Sequence, residues 1–192
     1  MRAILLGAGL STRMGKQKLL LPINGKKVID ITAENLHAAG FEEIYAVLSQ
    51  QVAEAWAPLP SFIRAEVNPA PERGQSSSLA IGLGMLEEGE DFCLMLADLP
   101  LVGPSEIRAL REAFDSMPKQ KTVLAPNRNG IFGHPMLYRS LWRQRFRDAA
   151  GDMGGRNILK QYEREILRIE APACHFLDMD TPGDYEKLKQ TK

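Results

Sequence analysis

The sequence predicts an α/β fold with a mostly parallel central sheet. Strand-like and helix-like segments alternate along the whole 192-residue chain. The continuous apolar run at residues 92–96 is typical of a strand covered on both faces, as at the centre of a parallel sheet. The segment 27–39 has apolar residues on one helical face, as a helix packed on such a sheet would. Alternation of this kind predicts right-handed crossovers and a ligand crevice at the carboxyl ends of the strands.

The first half of the chain contains four predicted strands, each followed by a helix or a glycine-rich loop. Gly40 and Pro58 end the first two helices, and Pro104 suits the first turn of the fourth. Apolar residues three or four positions apart mark the third helix. The predicted strands are residues 2–6, 43–48, 63–67 and 92–96, and the predicted helices are 27–39, 50–57, 76–87 and a segment beginning at Pro104.

The second half continues the alternation with shorter segments. Thr181 and Pro182 suit the N-cap and first positions of a final helix. Strands are predicted at residues 122–125, 165–169 and 174–177, and helices near 140–147 and 156–162. With no repeat or linker to divide it, the chain is predicted to form one domain over residues 1–192, with function in the loops after Leu6, Val67, Leu96 and Leu177.

Composition excludes several classes of protein. Lys and Arg total 24 and Asp and Glu total 24, so the chain lacks the positive surplus of a dedicated nucleic-acid binder. No apolar run has the roughly 18 residues of a membrane span, and Arg13, Lys16 and Lys18 follow the opening apolar run 3–6, whereas the cations of a signal peptide precede its apolar segment. Cys93 and Cys174 lie in apolar stretches with no Cys-x-x-Cys spacing, which predicts two buried thiols and a cytoplasmic protein.

The loop after the first strand is rich in glycine and cations. Gly7 and Gly9 allow backbone N–H groups to approach a phosphate closely. Thr12 stands where both the dinucleotide-binding fingerprint and the P-loop need a glycine, so neither motif is present. Arg13 and Lys18 are within reach of one bound triphosphate. The alternative is a solvated loop that is merely basic.

The pattern Gly9-x-x-x-Arg13-Met14-Gly15-x-x-Lys18 resembles the signature of nucleotidyltransferases related to molybdenum cofactor synthesis. The resemblance covers residues 3 to about 185 and implies a three-layer, Rossmann-like nucleotidyltransferase fold. Members that make the cytidine form of the cofactor begin this loop with Leu-Ala-Ala-Gly, and those that make the guanine form with Leu-Ala-Gly-Gly. This chain has Leu6-Gly7-Ala8-Gly9, in which Ala8 matches the cytidylyltransferases of the xanthine dehydrogenase accessory type and Gly7 departs from both patterns.

Asn68 and the segment from Gly74 through Ser76 and Ser77 resemble a second nucleotide-binding loop of the family. A glycine turn followed by serines over the first turn of a helix is also a good anion site on physical grounds, because the first N–H groups of a helix lack partners. Helix capping by the serines is the alternative interpretation.

Two aspartates are candidates for binding a metal. Asp98 follows the buried run 92–96, and the resemblance implies that it holds the Mg²⁺ bound to the triphosphate, with capping of the next turn as the alternative. Asp178-Met179-Asp180-Thr181-Pro182 resembles the family segment Asp-Ile-Asp-Thr-Pro, with Asp180 the better candidate for a second metal or substrate contact. Helix capping beside Thr181 is the alternative for Asp180, and sequence alone does not separate Asp178 from Asp180.

His134 and Arg156 are candidates for the acceptor side. His134 lies in Gly133-His134-Pro135, which is similar to the family's acceptor motif, and we expect it to line a pocket rather than act as a base. Arg156 ends Gly151-Asp152-Met153-Gly154-Gly155-Arg156, which resembles the family segment Gly-Asp-x-Gly-x-Arg. It is a candidate clamp for the acceptor's phosphate, with a surface salt bridge as the alternative.

The resemblance implies an Mg²⁺-dependent transfer of CMP from CTP to a molybdopterin-type cofactor. Arg13, Lys18 and Asp98 would be catalytic, and backbone amides of residues 7–9 and around Gly74 would hold the base and sugar. A molybdenum hydroxylase such as xanthine dehydrogenase is the expected downstream partner. The alternatives are a guanylyltransferase, an enzyme acting on a sugar or alcohol phosphate, and a carrier that delivers the cofactor without transferring a nucleotide.

Overall fold

A mostly parallel eight-stranded sheet lies at the centre of the computed structural model, which describes residues 1–148 and 155–190. The strands are β1 (Arg2–Gly7), β2 (Pro22–Ile23), β3 (Lys26–Lys27), β4 (Ile44–Leu48), β5 (Ile63–Val67), β6 (Phe92–Leu96), β7 (Val123–Arg128), β8 (Ile131–Phe132), β9 (Met136–Tyr138) and β10 (Ile166–Glu170). The sheet order is β10-β7-β9-β6-β1-β4-β5, with β8 paired to β7 and with β2 and β3 forming a separate hairpin. Strand β9 runs antiparallel between β6 and β7.

Helices cover both faces of the sheet. They are α1 (Val28–Ala38), α2 (Gln50–Trp56), α3 (Gln75–Met85), α4 (Pro104–Ser116), α5 (Trp142–Asp148), α6 (Gly155–Gln161) and α7 (Pro182–Gln190). Buried residues of α1, α2, α4 and α7 share one apolar core with the sheet, and those of α3, α5 and α6 share the other. This arrangement confirms the predicted three-layer α/β fold.

The central strands end side by side at one edge of the sheet. Leu6 of β1 pairs with Leu96 of β6, and the N–H of Ala97 donates to the carbonyl of Leu6 at 3.0 Å. On the other side of β1, Gly7 pairs with Leu48 of β4. The loops that follow β1, β4, β5 and β6 therefore meet at this edge, which we call the carboxyl edge.

Helix α1 fixes the chain just after β6. The Thr32 hydroxyl, fully buried, donates to the carbonyl of Ala97 at 3.0 Å. The amide of Asn35 donates to the carbonyls of Pro100 and Val102 at 3.2 and 3.0 Å. Because these bonds hold residues 97–102 on both sides of Asp98, they set its position at the carboxyl edge.

One predicted strand is wrong and the short strands were not predicted. The apolar segment 174–177 does not join the sheet, and the chain forms a 3₁₀ turn at Ala173–Phe176. The carbonyl of His175 accepts the N–H of His134 at 3.0 Å, so the turn packs against the loop before β9. A Cβ on Gly133 would lie 2.6 Å from that carbonyl oxygen, so glycine permits this close approach. Leu177 therefore does not end a strand.

The cysteines are both free, but only one is buried. Cys93 in β6 is fully enclosed, and burial raises the pKa of its thiol. Cys174 is partly exposed, which contradicts the expectation that both would be buried, because the 3₁₀ turn that carries it lies outside the sheet. Within residues 1–148 and 155–190, no helix is long and apolar enough to cross a membrane.

Candidate active site

The side chain of Lys18 lies between two carboxylates at the carboxyl edge. Its Nζ donates to Oδ1 of Asp180 at 2.8 Å and also to Oδ2 of Asp98. The side chains of Lys18 and Asp98 are 13% and 9% exposed, whereas that of Asp180 is 38% exposed. Three residues that are distant in sequence thus form one ionic cluster, which is partly open to solvent on the Asp180 side.

Each charged residue of this cluster has an apolar neighbour in the core. Leu19 follows Lys18 and is 3% exposed, and Met179 precedes Asp180 and is fully buried. Asp98 stands between the buried residues Ala97 and Leu99. Because the neighbours are anchored, the three polar side chains are held at the carboxyl edge by short backbone segments rather than by long loops.

Electrostatic interactions keep Lys18 charged. Burial alone would lower the pKa of Lys18, but the charge of Asp98 and the hydrogen bonds to Asp180 and Asp98 outweigh it, and the pKa is raised. At nearby Asp178, burial raises the pKa of the carboxyl, and the negative charges of Asp180 and Asp98 raise it further, so the charged form of Asp178 is disfavoured. Asp180 is thus the aspartate that binds Lys18 directly, while Asp178 lies at the margin of the cluster.

The first loop is closed by its own side chains. The Ser11 hydroxyl donates to Oε1 of Gln17 at 2.8 Å, and Nε2 of Gln17 donates to the carbonyl of Gly9 at 3.2 Å. The N–H of Lys18 donates to the Ser11 hydroxyl oxygen at 3.3 Å. Both Ser11 and Gly15 have left-handed backbone conformations, with φ of 51° and 64°. The loop is therefore a turn of defined shape that ends at Lys18.

The predicted loop residues 6–9 differ in their access to solvent. Leu6, Gly7 and Ala8 are buried, and only Gly9 is exposed. A Cβ on Gly7 would lie 3.0 Å from Cδ2 of Leu48, so the packing of β1 against its neighbours favours a glycine there. Arg13 lies in the 3₁₀ turn Thr12–Met14 of the same loop.

The second predicted loop is organised by Asn68, which is 3% exposed. Its Nδ2 donates to the hydroxyls of Ser77 and Ser78, both at 2.9 Å, and its Oδ1 accepts the N–H of Ala70 at 2.9 Å. Ser77 donates in turn to the carbonyl of Gly74 at 2.7 Å. Asn68 and Ser77 therefore hold the loop together, and Ser77 does not cap α3, whose N-cap is Gly74. Ser76 is exposed in the first turn of α3.

An open cleft of about 470 Å³ lies between the two loops and the end of β4. Leu10 and Gln17 line it from the first loop, and Asn68 and Pro69 from the second. Ser49 follows β4 and also lines the cleft, and its hydroxyl accepts the N–H of Val52 and so caps α2. Gln17 and Ser49 were not predicted from sequence, although the position of Ser49 directly after a buried strand was a usable signal.

One acceptor candidate lies beyond β6, on the side away from the cleft. His134 precedes β9 by two residues and therefore lies alongside Leu96, and its Nδ1 is 3.2 Å from the carbonyl oxygen of Leu94. Arg156 belongs to α6, which packs on the face of the sheet away from α1. Residues 151–154 of the predicted phosphate-clamp motif lie outside the described residues.

The carboxylates of the ionic cluster suit a hard divalent cation. Asp98 and Asp180 supply oxygen ligands, and the ammonium of Lys18 already occupies the space between them with positive charge. In the described part of the chain, no three His, Cys, Asp or Glu residues are grouped to hold a metal. The two carboxylates therefore fit an ion that takes the place of the Lys18 ammonium between them and completes its shell with water or substrate oxygens.

The site combines a glycine-rich basic loop after the first strand with an aspartate, paired to a lysine, after the central strand. Both lie at one edge of a parallel sheet, and together they are features of an α/β nucleotide-binding transferase. The family model described as the MobA-like NTP transferase domain matches residues 3–166, and the chain belongs to this nucleotidyltransferase family.

Relatives and solved structures are similar to this chain over almost its whole length. The purine catabolism protein PucB of Bacillus subtilis is 25% identical over 199 residues, covering 97% of this chain and 95% of PucB. A Natranaerobius thermophilus protein named "Probable molybdenum cofactor guanylyltransferase" is 22% identical over 200 residues, covering 98% of this chain and 94% of that protein. The structure of Rv0371c from Mycobacterium tuberculosis matches with a TM-score of 0.82 at 23% identity, covering 99% of this chain and 97% of that one. A second structure of Rv0371c, a complex with manganese, matches with a TM-score of 0.71 at 22% identity, covering 100% and 98%.

Proposed function

We propose that the protein transfers CMP from CTP to the phosphate of a molybdopterin-type cofactor, giving the cytosine dinucleotide form of the cofactor and pyrophosphate. The observation that carries the proposal is the Lys18–Asp98–Asp180 cluster beside the closed first loop. A lysine and two carboxylates at one sheet edge supply both signs of charge that a nucleoside triphosphate and its cation require.

The proposed reaction requires no covalent intermediate with the protein, which binds and orients the substrates and neutralises their charge. An oxygen of the acceptor's phosphate attacks the α-phosphorus of CTP, and the bond from that phosphorus to the bridging oxygen breaks as pyrophosphate leaves. Lys18 and Arg13 would neutralise the β- and γ-phosphates and so stabilise the leaving group. Exposed backbone at Gly9 and the first turn of α3 at Ser76 would bind the remaining polar groups of the nucleotide.

We assign the metal to Asp98 and Asp180 and expect it to be Mg²⁺. When bound, the ion would supply electrostatic stabilisation of the charge on the phosphates. The carboxylate oxygens of both residues support this assignment, because hard divalent cations prefer oxygen ligands, and the manganese complex of Rv0371c is a relevant precedent for a divalent ion on this fold.

Ala8 is the residue that favours CTP over GTP in this proposal. His134 and Arg156 are the residues we assign to the acceptor.

The name of PucB connects a relative to purine catabolism, which suits delivery of the product to a molybdenum hydroxylase such as xanthine dehydrogenase in the cytoplasm. The guanylyltransferase named among the relatives supports the same acceptor with a different base, and is the second candidate.

The test is release of pyrophosphate by the purified protein with Mg²⁺ and a molybdopterin-type cofactor, with CTP and GTP supplied in parallel. We expect release with CTP and loss of release in Asp98→Asn. Asp115→Asn is the matched control, because Asp115 lies on the exposed face of α4. Release with GTP alone would overturn the choice of base. Tight binding of the cofactor without release from either nucleotide would favour the carrier.

A further inference from the structure

We infer that Gln17 is a positioning residue, which holds the first loop in the shape that binds the nucleotide. The inference rests on the proposed function, because it concerns the nucleotide side of the same site. It adds a role for a residue whose side chain bonds to Ser11 and Gly9 and which the sequence did not mark as functional.

The amide of Gln17 joins two parts of the loop that are far from it along the chain. Its Oε1 accepts the Ser11 hydroxyl at 2.8 Å, and its Nε2 donates to the carbonyl of Gly9 at 3.2 Å. An amide is the side-chain group that presents an acceptor and a donor on one carbon, so a carboxylate or an apolar group cannot make both bonds. We call these two hydrogen bonds the Gln17 clasp.

The clasp supports a backbone conformation that serine does not favour. Ser11 has φ of 51°, in the left-handed region where a side chain with a Cβ is disfavoured. Its carbonyl nonetheless accepts the N–H of Met14 at 3.0 Å, which begins the 3₁₀ turn that carries Arg13. The hydroxyl bonded to Gln17 also accepts the N–H of Lys18 at 3.3 Å. Loss of the clasp therefore removes the side-chain support of Ser11, whose carbonyl and hydroxyl hold the two ends of the segment that carries the two cations.

The position of Gln17 also fits this role. Its side chain lines the 470 Å³ cleft, on the same side as Leu10, so the clasp forms one wall of the space between the first and second loops. Lys18 follows it directly and is held at the carboxylates through Nζ. The loop is thus tied at Gly9, at Ser11 and at Lys18, and a nucleotide would meet a surface already ordered for it.

The experiment compares Gln17→Met with the unaltered protein. Methionine has a similar length and makes neither bond. The matched control is Gln144→Met, since Gln144 is exposed on α5 and donates to Asp148 at 2.7 Å. We expect the Kd for CTP, measured by calorimetry with Mg²⁺, to rise about tenfold in Gln17→Met and to stay unchanged in the control. The thermal midpoint should be the same in all three proteins, because the clasp lies on the surface of the loop.

Limited trypsin digestion gives a second readout that needs no nucleotide. Cleavage after Arg13 or Lys16, within the loop, should be faster in Gln17→Met than in the control. Ser11→Ala removes the Ser11–Gln17 bond from the other side, together with the acceptor of the Lys18 N–H, so the effect of the double variant should be smaller than the sum of the two single effects. If Gln17→Met does not fold, Gln17→Glu supplies the test, because it keeps an acceptor for Ser11 but cannot donate to Gly9.

The outcomes separate this inference from the proposed function. Unchanged Kd and unchanged cleavage in Gln17→Met would overturn the role of Gln17 while leaving the transferase intact. A lowered thermal midpoint with unchanged Kd would make Gln17 a structural residue and overturn the inference. If the unaltered protein binds neither CTP nor GTP, the proposed function is overturned. The rate of trypsin cleavage would then show by itself whether Gln17 holds the loop in one shape.

Discussion

Replacement of Lys18 by methionine tests the charge balance at the carboxyl edge. Lysine and methionine are both unbranched, so the change removes the ammonium and leaves much of the apolar stem. In Lys18→Met the carboxylates of Asp98 and Asp180 face each other without the cation that now bonds to both. We expect the variant to be less stable at neutral pH and to gain more from a divalent cation than the unaltered protein does.

The magnitude follows from the exposure of the two carboxylates. The Asp98 side chain is 9% exposed, so loss of its partner should cost about 3 kcal/mol, the lower end for breaking a buried ion pair. The Asp180 side chain is 38% exposed and is screened by solvent, so its share is below about 1 kcal/mol. For a chain of 192 residues, a loss of about 3 kcal/mol lowers the thermal midpoint by roughly 6–12 °C.

Calorimetric melting with and without Mg²⁺ measures both effects. The control is Lys26→Met, because Lys26 pairs with Glu34 at 2.6 Å on an exposed surface where both side chains are about half exposed. A loss in Lys18→Met no greater than in Lys26→Met would refute the reasoning. Equal stabilisation of the unaltered protein and of Lys18→Met by Mg²⁺ would refute the assignment of the metal to these carboxylates.

Three further expectations concern the same edge. The pKa of Lys18 is raised above 10.5, so the stability that its charge contributes is present below that pH and is lost as the pH rises through the folded pKa. The free energy of unfolding in urea, measured between about pH 9 and about pH 12, should therefore fall more steeply in the unaltered protein than in Lys18→Met. Parallel curves for the two proteins would contradict this. Thr32→Val should cost about 1–3 kcal/mol in chemical unfolding, because the buried carbonyl of Ala97 loses its hydroxyl donor; Thr32→Ser, which keeps the hydroxyl, is the control, and equal losses in the two variants would contradict this. Gly133→Ala should lower the thermal midpoint and weaken acceptor binding but not CTP binding, because its Cβ would lie 2.6 Å from the carbonyl oxygen of His175; a protein with unchanged melting and acceptor affinity would contradict this.

The sequence predicted the parts of the site that depend on strands. Asp98 could be placed because a buried apolar run ends just before it, and parallel strands bring their carboxyl ends to one edge. Lys18 could be placed because its loop follows β1, which pairs with β6. The bond between them was not predictable, since the two residues are 80 positions apart and their contact depends on how the chain between them folds.

Other features depend on tertiary contacts that leave little trace in local sequence. The segment 174–177 is apolar enough for a strand, but the carbonyl of His175 bonds to the backbone of His134 and the chain turns. Strands β8 and β9 have two and three residues, too few to show an alternating pattern. The clasp is equally hidden, because Gln17 lies six residues from Ser11 with nothing in between to mark the pairing.

The antiparallel strand β9 divides the carboxyl edge into two independently built halves. The parallel strands β5, β4, β1 and β6 present their ends there, whereas β9 presents its beginning, so His134 reaches the edge from a hairpin that starts in β7. A hairpin can change in length or composition at its tip without altering the register of the strands beside it. In the proposed function, variation at the exposed tip of the hairpin, residues 128–131, would change the acceptor side while the half assigned to the triphosphate keeps its shape. One scaffold would then suit different acceptors with the same nucleotide donor.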